Sequence, residues 1–139
     1  MTYNFHMLGE ALKTIFLKKA KFRTAFYTKL SELAPELDVF FAHSNVQQTE
    51  MVEKFMARLI QTAAGGQSID AFAREFASSH SRFQFTPAQL AAAQDALLHA
   101  YDRAVEGTLV GTPEMHANWH MFVEFVFMEF RAALRQIDT

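Results

Sequence analysis

Six histidines and no cysteine set the chemistry open to this 139-residue chain. Disulfides, thiolate metal centres and cysteine nucleophiles are excluded, so a metal would have to rest on imidazole or carboxylate. His116 and His120 stand four residues apart, one helical turn, a spacing that can bind zinc. The residues between them, Ala117, Asn118 and Trp119, supply no His-Glu-x-x-His pattern, and the pair reads as a solvated one on a helix surface. His80 differs in its register. Ile69, Phe72, Ala73, Phe76, Ala77 and His80 recur at helical spacing, which puts the imidazole at the end of an apolar face. Two readings of it stay open. A histidine there can cap its helix, where the dipole favours its protonated form. As a neutral imidazole facing an apolar cavity, it can instead be the axial ligand of a haem iron.

The second reading needs an opposing wall with bulk and a polar group. Residues 46–62 offer one, because Gln48, Val52, Phe55, Met56 and Leu59 recur three to four residues apart. Tyr27 can add a hydroxyl from an earlier helix. Patterns for other chemistries do not occur: there is no G-x-S-x-G, no Gly-rich phosphate loop and no EF-hand acidic ladder.

The elements that must position these residues are all helical, with no alternating Val/Ile/Thr-rich strand. Residues 5–20 carry Phe5, Leu8, Leu12, Ile15 and Phe16, and residues 21–34 carry Phe22, Phe26, Leu30 and Leu33. Pro35 ends that second helix, since its ring lacks an N–H and restricts Ala34. Residues 42–46 are polar and turn-like, and Gly65-Gly66 marks a loop over 63–68. Thr86-Pro87 and Thr112-Pro113 each read as an N-cap followed by proline at the first helical position. They open helices over 87–105 and 113–135, the last burying Trp119, Phe122, Val123, Val126 and Phe130. The expectation is one all-α domain over residues 1–139, with six or seven helices.

Composition narrows the partners. Half the residues are hydrophobic and 15 are Phe, ample material for a core. Net charge is −2 and the cationic residues read as dispersed, with no basic stripe for nucleic acid. No apolar run reaches membrane-spanning length and the N-terminus lacks signal-peptide regions, so a cytoplasmic protein without membrane partners is expected.

With these residues in view, the chain resembles the bacterial single-domain globins and is similar to the haem domain of flavohaemoglobins. The resemblance covers nearly the whole length. It is carried by "FYTKLSELAPELDVFF" (26–41), "QTEMVEKFMARLIQ" (48–61), "ASSHSRFQFTPAQL" (77–90) and "ANWHMFVEF" (117–125), in that order and spacing. It implies a globin fold around haem b, with His80 as the proximal iron ligand. It further implies Phe41 packed on the haem face, Tyr27 and Gln48 in the distal pocket, and Val52 beside the bound gas. Gln47 exchanges with Gln48 if the 42–46 turn slips by one residue. Met56, Phe83 and Phe85 would line the haem, while His43, Arg82 and Lys54 are candidates for propionate contact.

Two departures from the family pattern bear on reactivity. Leu90 stands where flavohaemoglobin-type domains carry a proximal tyrosine, and Glu124 and Glu129 do not fall at its carboxylate partner's position. The anionic push on His80 is then weak, against peroxidase-like chemistry. Met51 replaces the basic residue expected early in the distal helix. The resemblance implies reversible binding of O2, with NO and CO as further ligands, by a monomer or homodimer. Nitric-oxide dioxygenation with a separate reductase is the enzymatic alternative, since the chain has no room for its own. A haem-free or gas-sensing interaction domain and a cofactor-free helical scaffold are the remaining readings.

Overall fold

The first helix starts at a side-chain cap, with Asn4 Oδ1 accepting from the Met7 N–H at 3.0 Å. The same residue is tied to the last helix: its N–H donates to Asn118 Oδ1 at 2.6 Å, and its carbonyl accepts from Asn118 Nδ2 at 3.1 Å. The computed structural model describes residues 4–41 and 85–138. Between those stretches it describes Lys54, Phe55, Arg58, Thr62, Ala71, Phe72, Arg74, Glu75 and Ser78; Phe5, Phe40, Phe41 and 136–138 are described by backbone alone. Among the described residues every regular element is helical.

Helix α1 spans Phe5–Leu17 and buries Leu8, Ala11, Leu12 and Ile15, one face at i, i+3, i+4, i+7. Helix α2 follows at once over Lys19–Leu33, with Lys18 alone leaving helical geometry (φ −109°, ψ 29°). No Gly or Pro announces this corner. It falls where Lys19 interrupts the apolar stripe that would otherwise run from Ile15 to Phe22. Phe16 and Leu33, expected on apolar faces, are each 45% exposed. Leu30, Ala34 and Leu37 take the inward track around Pro35 instead, which turns Leu33 outward. A 3-10 turn at Pro35–Leu37 leads into the single-turn helix α3, Asp38–Phe41, and Ser31 Oγ donates to Asp38 Oδ2 at 2.9 Å across that bend.

Helix α4, Pro87–Ala104, opens on a full capping box: Thr86 Oγ1 accepts from the Gln89 N–H, and Gln89 Oε1 accepts from the Thr86 N–H. Its alanines at 92, 96, 100 and 104 are buried, and a small-residue ridge of this period lets a neighbouring helix approach closely. Helix α2 uses that ridge, packing Leu30 and Ala34 against Ala92 and Ala96. Helix α5, Pro113–Asp138, starts where Thr112 Oγ1 accepts from the Met115 N–H and runs beyond the expected end at 135. All five of its expected core residues, Trp119, Phe122, Val123, Val126 and Phe130, are buried. Each contributes about 1.5–3 kcal/mol by leaving water.

The α4–α5 corner is closed by backbone. Tyr101 Oη donates to the Val110 carbonyl at 2.9 Å, and Gly107 takes a positive φ of 74°. A Cβ on Gly111 would lie 2.6 Å from the Val105 carbonyl oxygen, an atom that cannot swing aside. Gly9 is the contrast, a helix-interior glycine with open space around it. Gly111→Ala is expected to destabilise by about 2 kcal/mol, whereas Gly9→Ala stabilises by about 0.5–1 kcal/mol. Thermal melts of the two variants should shift in opposite directions.

Candidate functional site

Tyr27 lies on α2 where two apolar clusters meet. It packs against the large cluster of α1, α4 and α5 and also against Leu30, Ala34, Leu37, Ala92 and Ala96. Phe26 meets it edge-on at 4.9 Å between ring centroids. Burial pushes the Tyr27 phenol up to about 12, with the nearby Arg23 charge acting weakly in the other direction. It is therefore a neutral O–H at any physiological pH. Tyr101 is also held at about 12, by burial and then by the Asp102 carboxylate.

Both phenols keep their protons in the folded chain to about pH 12 but lose them near 10 when unfolded. Stability from these groups is complete below pH 10 and falls as the pH rises from 10 toward 12. Absorbance of phenolate near 295 nm should thus show two of the chain's three tyrosines titrating late, together with alkaline unfolding. Titration of all three near 10 while the fold persists would contradict their burial.

The two segments that carry the remaining candidates are anchored by described phenylalanines. Phe55, in helical backbone, and Phe72, buried in helical backbone, meet at 5.9 Å between ring centroids. Phe72 belongs to the α1–α4–α5 core cluster, and Phe55 packs against it. An ion pair between Arg58 and Glu75 joins the same segments at the surface, where it contributes little. Thr62 Oγ1 donates to the Arg58 carbonyl one turn earlier at 2.7 Å. Helical backbone at Lys54, Phe55, Arg58 and Thr62, and at Ala71, Phe72, Arg74, Glu75 and Ser78, agrees with the helices expected over 46–62 and 69–80.

Among the expected site residues, Tyr27, Phe85 and Leu90 are fully described, and the structure sets them in linked apolar surroundings. Phe85 packs against the Leu30–Ala96 cluster that also receives Tyr27. It packs as well against the cluster of Leu90, Phe130 and Ala133. Leu90 is thus a buried core residue between α4 and α5. Phe41 closes α3 by its backbone, and its side chain lies outside the described residues. His43, Gln47, Gln48, Val52, Met56, His80, Arg82 and Phe83 also lie outside them. Lys54 is exposed, as is Glu124.

The His116/His120 pair is not the solvated pair expected. His116 is half-buried, its Nδ1 2.7 Å from Asp102 Oδ1, with its ring edge-on to Tyr101 at 5.1 Å. Only His120 is exposed. The imidazole bridges α4 and α5, and Tyr101 in turn stacks on Trp119 at 5.0 Å. Trp119 is 1% exposed, and its Nε1 has no acceptor among the described residues. No group of three or more His, Asp or Glu assembles as a metal site among those residues.

Sequence reasoning missed two features. Phe55 and Phe72 were visible as apolar periods but not as the contact joining two segments. The cationic residues are not dispersed: six of the 13 fall within residues 13–29, which hold no acidic residue. The cluster is a local excess that the near-neutral total conceals. Comparison with protein families, curated proteins and solved structures finds no match to this chain.

Proposed function

We propose that this chain is a globin that binds haem b through His80 and takes up O2 reversibly. The observation that carries the reading is the Phe55–Phe72 contact against the α4–α5 core. Gln48 and Val52 precede Phe55 by seven and three residues, within its helical period, and the stripe through Phe72 ends at His80. That contact supports a pocket in which the face bearing Gln48 and the stripe ending at His80 share one interior. Tyr27 supports the same reading from α2 as a desolvated, neutral hydroxyl donor.

Haem b supplies, when bound, an iron that a diatomic gas can reach. The chain's own part is to hold and tune it. His80 provides a neutral nitrogen, which requires that its imidazole not be spent as a protonated helix cap. Phe41, Val52, Met56, Phe83 and Phe85 exclude water from a flat apolar group, while His43 and Arg82 offer charge or hydrogen bonds at its rim. Tyr27 and the amide of Gln48, or Gln47, present preorganised donors to a ligand that gains negative charge on binding. Carbon monoxide gains less charge and benefits less. Leu90, buried among carbons, leaves His80 without the tyrosine link that would strengthen a push toward bond cleavage.

Reduced, haem-loaded protein cycled between argon and O2 tests this reading. Repeated return to the starting visible spectrum is the expected result, and irreversible oxidation at the first exposure removes it. Mixing the O2-loaded protein with NO and then a reductase separates binding from nitric-oxide dioxygenation. A single oxidation without re-reduction leaves binding as the function.

A further inference from the structure

We infer that the α1–α2 corner is a docking surface for an anionic lipid bilayer, with Lys13, Lys18, Lys19, Lys21 and Arg23 at the headgroups and Leu17 entering between them. Residues 13–29 carry six cationic and no acidic side chains, whereas the rest of the chain carries seven against 15. A chain of net charge −2 thus concentrates positive charge in the segment that ends α1 and runs into α2. The apolar component sits at the same place: Leu17 is 83% exposed and Phe16 45% exposed on the last turn of α1, beside Lys13. Lys19 Nζ lies over the Phe16 ring at 4.9 Å, so charge and apolar surface form one patch. Lys18, Lys21 and Arg23 have no carboxylate partner among the described residues; Lys13 is paired only with Glu10, at 3.6 Å.

The arrangement costs local stability. Lys19 and Lys21 occupy the first turn of α2, which holds no acidic residue, and lysines there oppose the helix dipole at about 0.3–1 kcal/mol each. Leu17, 83% exposed, is not repaid by packing, which is expected where a surface is kept for a partner. A bilayer fits better than an acidic protein because five of the six cations are lysines, a residue depleted at protein interfaces but effective near anionic headgroups. Attachment is peripheral, and no helix among the described residues is long and apolar enough to cross a membrane.

Co-sedimentation with phosphatidylcholine vesicles, with and without phosphatidylglycerol, tests the inference at low salt. Partition onto the anionic vesicles alone is expected, with release as salt is raised. The variant K18Q/K19Q/K21Q should lower that partition about 100-fold, and Leu17→Gln about 10-fold. Cooperative thermal melts, unchanged for Leu17→Gln and shifted upward for the triple variant because the opposition to the helix dipole is removed, establish that both variants are folded. Absence of partition at low salt overturns the inference, as does partition that the triple variant leaves unchanged. Binding to soluble polyglutamate without binding to vesicles also overturns it and assigns the corner to an acidic protein.

Discussion

His80→Ala protein mixed with haemin is expected to lose the parent's Soret spectrum and more than about 100-fold in haem affinity. Residues that merely support a metal ligand already carry 10- to 100-fold, and removal of the ligand itself exceeds that. The effect is large because, on this reading, the imidazole is the chain's own bond to the iron. A helix-capping role for His80 gives a different result. The variant would then keep the parent's haem spectrum and lose about 0.5–1 kcal/mol of stability, chiefly at acid pH where the imidazole is charged. Far-UV circular dichroism of the haem-free variant keeps loss of fold apart from loss of ligand.

Tyr27→Phe is expected to raise the O2 dissociation rate about 10- to 100-fold while CO kinetics change little. A hydrogen bond to a group that gains charge contributes about 1.5–3 kcal/mol. Tyr27 can supply it throughout the physiological range, because burial holds its phenol at about 12 and so keeps the proton in place. Stopped-flow displacement of O2 and CO from the same two proteins reads the ratio directly. Were Tyr27 only a core tyrosine, the variant would lose about 1 kcal/mol of stability and change neither gas selectively.

The helix frame was legible where local chemistry and tertiary packing agree. Thr86-Pro87 and Thr112-Pro113 start helices because a hydroxyl acceptor and a proline serve the same helix end. The Trp119–Phe130 stripe is buried because an amphipathic helix has one face to offer the core. The α1–α2 corner was displaced by two residues, since nothing near Lys18 breaks a helix on its own. Phe16 and Leu33 fit the apolar period yet face solvent, because which edge of a stripe is covered depends on the neighbouring helix. His116 escaped for a related reason. Its partner Asp102 lies on another helix, and a spacing of four to His120 says nothing about that contact. Of the candidate site, Tyr27, Phe85 and Leu90 were named without their neighbours, because the clusters they join are set by which helices meet and not by a local period. The roles of His80 and Gln48 come from resemblance, since an imidazole at the end of an apolar face is chemically consistent with a cap as well as a ligand.

Titration of the purified protein with haemin tests the central claim most directly. Trp119 is the chain's one tryptophan and is buried in the core, so its emission reports haem arriving within energy-transfer range. The haem-binding account predicts a Soret band and quenching of Trp119 emission that saturate together at one haem per chain. Stoichiometric haemin that produces neither change would contradict it.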